Sequence, residues 1–233
     1  MNRLALMVLK NIHRAPGLYA KLCHYAKNTD RYPEAEKWAH IHKIMKIAVE
    51  SGNIDLVVTG LENIPAEGGL LLYGNHQGLF DVLAIASTCE PPLGIVYKKE
   101  LKNVPVLKQI LTCTKSFAMD REDVRQSLTV IQNVTKEVQS GRNYVIFPEG
   151  TRSKKGNAMG DFHGGSFRCA VKAKCPVVPM AFIDCFRVLD EKGSKPLTAQ
   201  LHYLKPIEYE EYKDMKPAEL AELVKSRIQE CID

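Results

Sequence analysis

The segment LLLYGNHQGLFDVLAIA, at residues 70–86, contains the pattern from which the fold is predicted. A short apolar run comes first, then a turn bounded by two glycines, and then a second apolar run. This order predicts a buried strand, a loop and a helix. His76 falls on the loop and Asp81 in the first turn of the helix. A loop that leads into a helix can fold so that the two side chains meet. A carboxylate bound to one imidazole nitrogen leaves the other nitrogen free to act as a base.

An isolated pair of a histidine and an aspartate is more often a loop contact or a helix cap, so the interpretation depends on a second segment. That segment is YVIFPEGTRS, at residues 144–153. It predicts a strand followed by a loop that carries a carboxylate, a glycine, a hydroxyl and the guanidinium of Arg152. Ligands of α/β proteins bind at such strand ends, and a planar guanidinium can bind two phosphate oxygens at once. The two segments together predict a site for a phosphate-bearing substrate.

The motifs NHxxxxD (residues 75–81) and FPEGTRS (residues 147–153) stand unbroken and in this order, so the chain resembles the glycerolipid acyltransferases. It is most similar to the 1-acyl-glycerol-3-phosphate acyltransferases, which form phosphatidate. The resemblance covers roughly Leu56 to Pro206. It includes GLENIP at residues 60–65 and the motif-like stretch KSFAMDR at residues 115–121.

The resemblance implies an acyl transfer in which His76, held by Asp81, removes the proton from a glycerol hydroxyl. The resulting alkoxide attacks the thioester of an acyl-CoA or an acyl carrier protein, and the acceptor is lysophosphatidic acid. No cofactor or metal is expected. The residues expected to bind substrate are Lys99, Arg121, Glu149, Gly150, Thr151 and Arg152.

The phosphate is expected to pair with Arg121, Arg152 and either Lys98 or Lys99. Arg121 could instead form a salt bridge at the start of the next helix. Glu149 has two possible roles, which are to contact the acceptor hydroxyls or to hold its loop by accepting backbone N–H bonds. His163 stands where the family commonly has a basic residue, and it is interpreted as a structural loop residue.

Apolar runs that alternate with helical patterns predict an α/β fold with a mixed, largely parallel sheet flanked by helices, preceded by an N-terminal helical pair. We expect residues 1–52 to form an amphipathic helical segment and residues 53–233 an acyltransferase domain. The strands are predicted at residues 54–59, 70–73, 93–97, 115–121, 144–147, 176–183 and 199–204. The clearest helices are predicted at residues 123–140 and 217–232. In the first of them Val124, Leu128, Ile131 and Val138 fall at helical spacing, and we expect this helix to pack on the sheet.

The basic excess lies near the N-terminus. Residues 1–46 carry a net charge of +6, whereas the whole chain carries +5. Leu4, Val8 and Ile12 share one helical face, and Pro16-Gly17 predicts a break after it. Trp38 belongs to a later amphipathic pattern. These helices could contact an anionic membrane surface through residues 1–50, or they could pack on the domain. No apolar run reaches the about 20 residues of a membrane span, and no signal peptide is apparent. We therefore expect a peripheral protein on the cytoplasmic face of the membrane.

Several other classes are excluded by their missing motifs. The seven cysteines are odd in number and form no CxxC pair, so reduced thiols are expected. The stretch GGSFR at residues 164–168 lacks the second glycine of a nucleophile elbow. No nucleic-acid-binding motif accompanies the basic charge. The remaining alternatives are an acyltransferase for another acceptor, such as glycerol-3-phosphate or a lysophospholipid, and a non-catalytic lipid-binding module.

Overall fold

A computed structural model describes residues 3–233, and within that range seven strands form one sheet. The strands are β1 (Ile54–Thr59), β2 (Leu71–Gly74), β3 (Leu93–Lys98), β4 (Phe117–Met119), β5 (Asn143–Ile146), β6 (Val177–Ile183) and β7 (Leu197–Tyr203). The strand order is β1-β7-β6-β2-β5-β3-β4, and every neighbouring pair is parallel except β6 and β7. The predicted mixed, largely parallel sheet is therefore confirmed.

Helices cover both faces of this sheet. They are α1 (Arg3–Lys10), α2 (Ala15–Lys27), α3 (Glu34–Ser51), α4 (Phe80–Thr88), α5 (Leu107–Cys113), α6 (Val124–Gln139), α7 (Arg168–Ala173), α8 (Cys185–Asp190), α9 (Tyr209–Tyr212) and α10 (Pro217–Ile232). Side chains of β2 alternate between the two faces, because successive residues of a strand point in opposite directions. Leu72 packs in a core with residues of α2, α3 and α4, whereas Leu71 and Tyr73 pack in a second core with residues of α6, α7 and α10.

Helix α6 follows its predicted bounds, but its first turns differ from the prediction. The Asp123 side chain caps the helix by accepting a hydrogen bond of 3.0 Å from the Gln126 backbone N–H. Ile131 is buried as predicted. Val124 and Leu128 are 70% and 41% exposed, so the prediction that they pack on the sheet is wrong. The neighbouring edge strand, β4, has only three residues and leaves little sheet for the start of the helix to cover.

Helices α2 and α3 pack on the domain, which was one of the two alternatives for this region. Trp38 is 3% exposed, and its indole N–H donates a hydrogen bond of 3.1 Å to the Cys89 carbonyl. The expectation that Trp38 contributes to a membrane surface is therefore wrong. The break between the first helices falls at residues 11–14 rather than at Pro16, which lies in the first turn of α2. Proline is favoured there because it has no N–H to leave unpaired.

Helix α1 is attached through a buried guanidinium. Arg3 is 4% exposed. Its Nε donates to the Val188 carbonyl at 3.0 Å, and its Nη2 donates to the Lys195 carbonyl at 3.0 Å. Its Nη1 donates to the carbonyls of Gly52 at 2.8 Å and Asn53 at 3.2 Å. These four bonds join α1 to the end of α3, to α8 and to the loop before β7.

The outer side of α1 and the turn that follows it are apolar and exposed. The aliphatic residues there are between 51% and 64% exposed, and they are Leu4, Val8, Leu9 and Ile12. Met1 and Asn2 lie outside the described residues. No helix in residues 3–233 is both long and apolar enough to cross a membrane. The seven cysteines are all free thiols.

Candidate active site

The loop between β2 and α4 is organised around the buried carboxylate of Asp81. Its Oδ2 accepts a hydrogen bond from Nδ1 of His76 at 2.8 Å. The same oxygen accepts the backbone N–H groups of Gln77 at 2.7 Å and Gly78 at 2.9 Å. Burial raises the pKa of Asp81, while these three donors oppose that shift by stabilising the ionised form. The predicted meeting of His76 and Asp81 is present, and the carboxylate also shapes the loop.

The His76 ring is fixed in orientation and presents its second nitrogen. The ring stacks on Phe147, with 4.3 Å between ring centroids and 25° between the planes. Because Nδ1 donates to Asp81, the proton resides there and Nε2 carries a lone pair. Within residues 3–233 no hydrogen bond engages Nε2, and the side chain is 19% exposed. This arrangement can remove a proton from a bound hydroxyl.

Glu149 ties the second loop to the first. Its Oε1 accepts the His76 backbone N–H at 2.7 Å, and its Oε2 accepts the Gly160 backbone N–H at 2.8 Å. The Ser153 backbone N–H donates to the His76 carbonyl at 2.9 Å. Burial raises the pKa of Glu149, and the two backbone donors oppose the shift. Both carboxylate oxygens are thus engaged, which favours the loop-holding alternative over contact with acceptor hydroxyls.

Two side chains that flank His76 hold its loop to the ends of β6 and α8, and the sequence interpretation missed both. The Asn75 amide donates to the Phe182 carbonyl at 2.9 Å and accepts the Phe182 N–H at 2.8 Å. The Gln77 Oε1 accepts the Cys185 N–H at 2.8 Å, and its amide donates to Asn157 at 2.8 Å. The available signal was that both are polar residues between two apolar runs.

Arg121 and Lys99 line a small cavity of about 60 Å³ at the ends of β3 and β4. Lys99 forms an ion pair with Asp120, with 2.5 Å between Nζ and Oδ2. The hydrogen bond to Asp120 raises the pKa of Lys99. Arg121 forms no ion pair with any carboxylate in the described range, so the alternative of a salt bridge at the start of α6 is absent.

Gly150 connects this cavity to the second loop. Its φ is +69°, a left-handed conformation that glycine adopts without strain. A Cβ atom at this position would lie 3.8 Å from Nε of Arg121 and 3.5 Å from the His163 ring. The loop after β5, which holds the His76 loop through Glu149, therefore borders Arg121 directly.

Arg152 lines a different and larger cavity of about 610 Å³. Its Nη1 lies 3.5 Å from Oδ1 of Asp190 on α8. Thr151 is exposed on the same loop. Of the predicted site residues, the structure brings His76, Asp81 and Glu149 into contact. It places Lys99 and Arg121 in one cavity, beside Gly150, and Arg152 in the other. No group of three metal-ligating side chains occurs in the part of the chain that the structure describes.

Residues 55–183 of the chain match the family model described as Acyltransferase. Two similar bacterial proteins, each named 1-acyl-sn-glycerol-3-phosphate acyltransferase, come from Borreliella burgdorferi and Helicobacter pylori. The first is 30% identical over 136 residues, which cover 58% of this chain and 54% of that protein. The second is 32% identical over 132 residues, which cover 57% of this chain and 54% of that protein. The chain thus spans about half the length of these curated relatives.

A protein of the same name from Saccharomyces cerevisiae is 26% identical over 195 residues, which cover 82% of this chain and 63% of that protein. Among solved structures, the 1-acyl-sn-glycerophosphate (LPA) acyltransferase PlsC from Thermotoga maritima has a TM-score of 0.79 and 19% identity. The match covers 99% of this chain and 95% of that one, so the fold is shared throughout. The family model spans more than half of the sequence, including both loops that meet at His76, and the chain therefore belongs to the Acyltransferase family.

Proposed function

We propose that this protein transfers a fatty acyl group from an acyl thioester to the free hydroxyl of 1-acyl-glycerol-3-phosphate. The product is phosphatidic acid, and the reaction belongs to phospholipid biosynthesis. The observation that carries the proposal is the 2.8 Å contact between Nδ1 of His76 and Oδ2 of Asp81, with Nε2 left without a partner among the described residues. The names of the similar proteins from two bacteria and a yeast support the choice of acceptor.

The reaction proceeds without a covalent enzyme intermediate. Nε2 of His76 takes the proton of the acceptor hydroxyl while the hydroxyl oxygen forms a bond to the thioester carbonyl carbon. The tetrahedral intermediate collapses by breaking the carbon–sulfur bond. The imidazolium of His76 then returns the proton to the departing thiolate. Asp81 stabilises the imidazolium while it exists, and a general base of this kind contributes roughly 10²–10⁴-fold to the rate.

The acceptor phosphate binds in the cavity of Arg121 and Lys99. Arg121 is the cation there that has no carboxylate partner in the described range, and its planar fork suits a phosphate. When the phosphate binds, the ammonium of Lys99 would either leave Asp120 to pair with the phosphate or contact both anions. The cavity of about 60 Å³ has room for a single small anion, which would lie between these two cations and the carboxylates of Glu100, Asp120 and Glu122 that also line it.

The acyl groups of acceptor and product belong in a bilayer, so the protein works as a peripheral protein on the cytoplasmic face of a membrane. Helix α1 supplies the membrane contact. The expected contact surface, which was residues 1–50, is therefore reduced to the exposed apolar side of α1. Lys10 and Arg14 are exposed beside this side. Each basic residue near an anionic surface contributes on the order of 1 kcal/mol, and apolar burial contributes about 25 cal/mol per Å².

A panel of acceptors tests the proposal. Purified protein is incubated with radiolabelled acyl-CoA, or with labelled acyl carrier protein, and one acceptor at a time. We expect labelled phosphatidic acid from 1-acyl-glycerol-3-phosphate, and at most weak labelling of glycerol-3-phosphate or lysophosphatidylcholine. Preferred labelling of either of these would contradict the acceptor assignment. Binding of lipid with no turnover from either donor would indicate a lipid-binding module instead.

A further inference from the structure

The edge of the sheet at which His76 lies also carries exposed apolar side chains. Strands β2, β5, β3 and β4 run in one direction, so the segments that follow them leave the sheet at one edge. Val104 and Val106, between β3 and α5, are exposed there, and so is Val124 at the start of α6. Leu79, in the His76 loop, is a fourth exposed aliphatic residue. Apolar surface is therefore exposed around the residue that we propose as the base.

Helix α1 lies at the same edge, because the carbonyls that hold Arg3 belong to segments there. Strand β7 runs antiparallel to β6, and β1 runs parallel to β7, so both begin at the edge where β2 and β6 end. Asn53 precedes β1, Lys195 precedes β7, and Val188 lies on the helix after β6. In strand order β1 and β7 stand on one side of β2, and β3 and β4 stand on the other. Helix α1 and the segment after β3 therefore flank the His76 loop on opposite sides.

The segment between β3 and α5 combines an apolar centre with a lysine at each end. Its sequence KNVPVLK, at residues 102–108, has Val-Pro-Val in the middle. Both of its lysines are exposed, and neither forms an ion pair with a carboxylate of residues 3–233. Glu100, the one carboxylate of residues 98–108, is paired with Lys98 at 3.0 Å. This combination is complementary to a bilayer with anionic lipids, because the aliphatic groups can enter the interface while the ammonium groups stay among the headgroups.

Val106 has a backbone conformation that valine rarely adopts. Its φ is +69° and its ψ is −53°. A β-branched residue at positive φ is strained. The side chain is 40% exposed, so burial in the core does not offset the strain. A costly conformation that keeps an apolar side chain at the surface favours a function for that side chain.

We propose that residues 102–108 form a second membrane contact, which binds a bilayer that contains anionic lipids. This inference rests on the proposed function, in which acceptor and product are bilayer lipids. With α1 on one side of the His76 loop and this segment on the other, the edge of the sheet that carries the site faces the bilayer. Lys98 and Lys99, just before the segment, line the cavity in which we place the acceptor phosphate. A bilayer is therefore favoured over an acidic partner protein, because the segment borders the site of the lipid acceptor.

The first experiment places a fluorescent side chain at either edge of the sheet. Val104→Trp tests the segment, and Leu61→Trp is the matched control. The two positions are 38% and 44% exposed, but Leu61 follows β1 and lies at the opposite edge. Trp38, the only native tryptophan, is buried and contributes the same background to both proteins. With vesicles of phosphatidylcholine and phosphatidylglycerol, brominated acyl chains should quench Val104→Trp several-fold more than Leu61→Trp. Equal quenching in the two variants, or none in Val104→Trp, would overturn the proposal.

The second experiment measures binding to the same vesicles by flotation. Lys102→Gln and Lys108→Gln should each weaken binding about fivefold, the effect of one basic residue near an anionic surface. Lys136→Gln is the control, because Lys136 is exposed at the end of α6, which is at the opposite edge of the sheet. Val106→Gly should weaken binding several-fold without lowering the melting temperature, since glycine adopts positive φ without strain. Weaker binding by a protein that is at least as stable excludes misfolding as the cause. Wild-type binding in all three segment variants would overturn the proposal.

Turnover separates this contact from the acyl transfer on which it rests. We compare 1-acyl-glycerol-3-phosphate held in vesicles with a short-chain form dissolved in water. The ratio of the two rates should fall several-fold in Val106→Gly and not in Leu61→Glu. An unchanged ratio in Val106→Gly would overturn the second contact while acyl transfer stands.

Two further outcomes have distinct meanings. Quenching of Val104→Trp in a protein that transfers no acyl group would support the contact and overturn the proposed reaction. A raised KM for acyl carrier protein in Lys102→Gln, with vesicle binding unchanged, would overturn the membrane contact and assign the segment to an acidic partner protein.

Discussion

Glu149 accepts the backbone N–H of His76 at 2.7 Å, across 73 residues of sequence. The contact forms because β2 and β5 are parallel neighbours, so the loops that follow them emerge at the same edge of the sheet. One oxygen of Glu149 holds the His76 loop and the other holds Gly160. The carboxylate that follows one strand therefore positions the histidine that follows another, which is the residue we propose as the base.

Replacing Glu149 by glutamine should lower both stability and turnover. The glutamine oxygen can accept only one of the two backbone N–H groups, so a buried donor loses its partner at a cost of about 1–3 kcal/mol in the free energy of unfolding. Urea denaturation measures this loss, and kcat should fall because the His76 loop shifts. Unchanged stability with a raised acceptor KM would instead favour contact of Glu149 with the acceptor hydroxyls.

Removing the imidazole in His76→Ala should lower kcat by roughly 10²–10⁴-fold and change the acceptor KM little, because a general base acts in the transition state. Asp81→Asn should also be severely impaired, since an amide does not hold the Nδ1–H tautomer in the same way. His24→Ala, which removes an imidazole from α2, is the control. Near-normal turnover in pure, folded His76→Ala protein would refute the mechanism.

Replacing Arg121 by lysine should raise the acceptor KM although the charge is kept, because the two-pronged contact with phosphate is lost. Arg121→Gln should raise it further. The measurement is steady-state kinetics with 1-acyl-glycerol-3-phosphate and with its phosphate-free analogue, a monoacylglycerol. If wild-type protein uses both acceptors equally well, no phosphate site exists at Arg121.

Exposed apolar residues of α1 and of the turn that follows it should be required for membrane contact but not for folding. Val8→Glu and Ile12→Glu should weaken binding to anionic vesicles in a flotation assay and leave the melting temperature within a few degrees. Wild-type binding should decline as salt is raised, because the attraction of the basic residues is screened. Val57→Glu, at an exposed position on the edge strand β1, is the control. Vesicle binding that is unchanged in both Val8→Glu and Ile12→Glu would contradict the proposed contact.

The sequence predicts strand positions well because buried strands have continuous apolar runs bounded by turns. The starts of β1 and α10 match at Ile54 and Pro217. The meeting of His76 with Asp81 was also predictable, since both belong to one short segment. The role of Glu149 remained open until the fold was known, because its partners lie on two other loops.

Exposure and grouping of residues were harder to predict than strand positions. A helical spacing places Val124 and Ile131 on one side of a helix but does not show where the sheet ends beneath it. In the same way, the motif places Arg152 two residues after Gly150, and only the fold shows that the intervening backbone directs it toward Asp190 instead of Arg121. Both differences arise from tertiary geometry that no local pattern encodes.

The carbonyl groups that hold Arg3 imply an order of events during synthesis. Val188 and Lys195 lie 185 and 192 residues after Arg3, and at about 5–20 residues per second they emerge roughly 10–40 s later. Throughout that interval Arg3 can bond only the carbonyls of Gly52 and Asn53, so the first helix of the nascent chain is held by two of its four hydrogen bonds. Ribosome-bound chains stalled before Val188 should therefore be cleaved within α1 by a protease, and chains released past Lys195 should resist it. Equal resistance at both lengths would show that α1 docks without the hydrogen bonds of Arg3 to Val188 and Lys195.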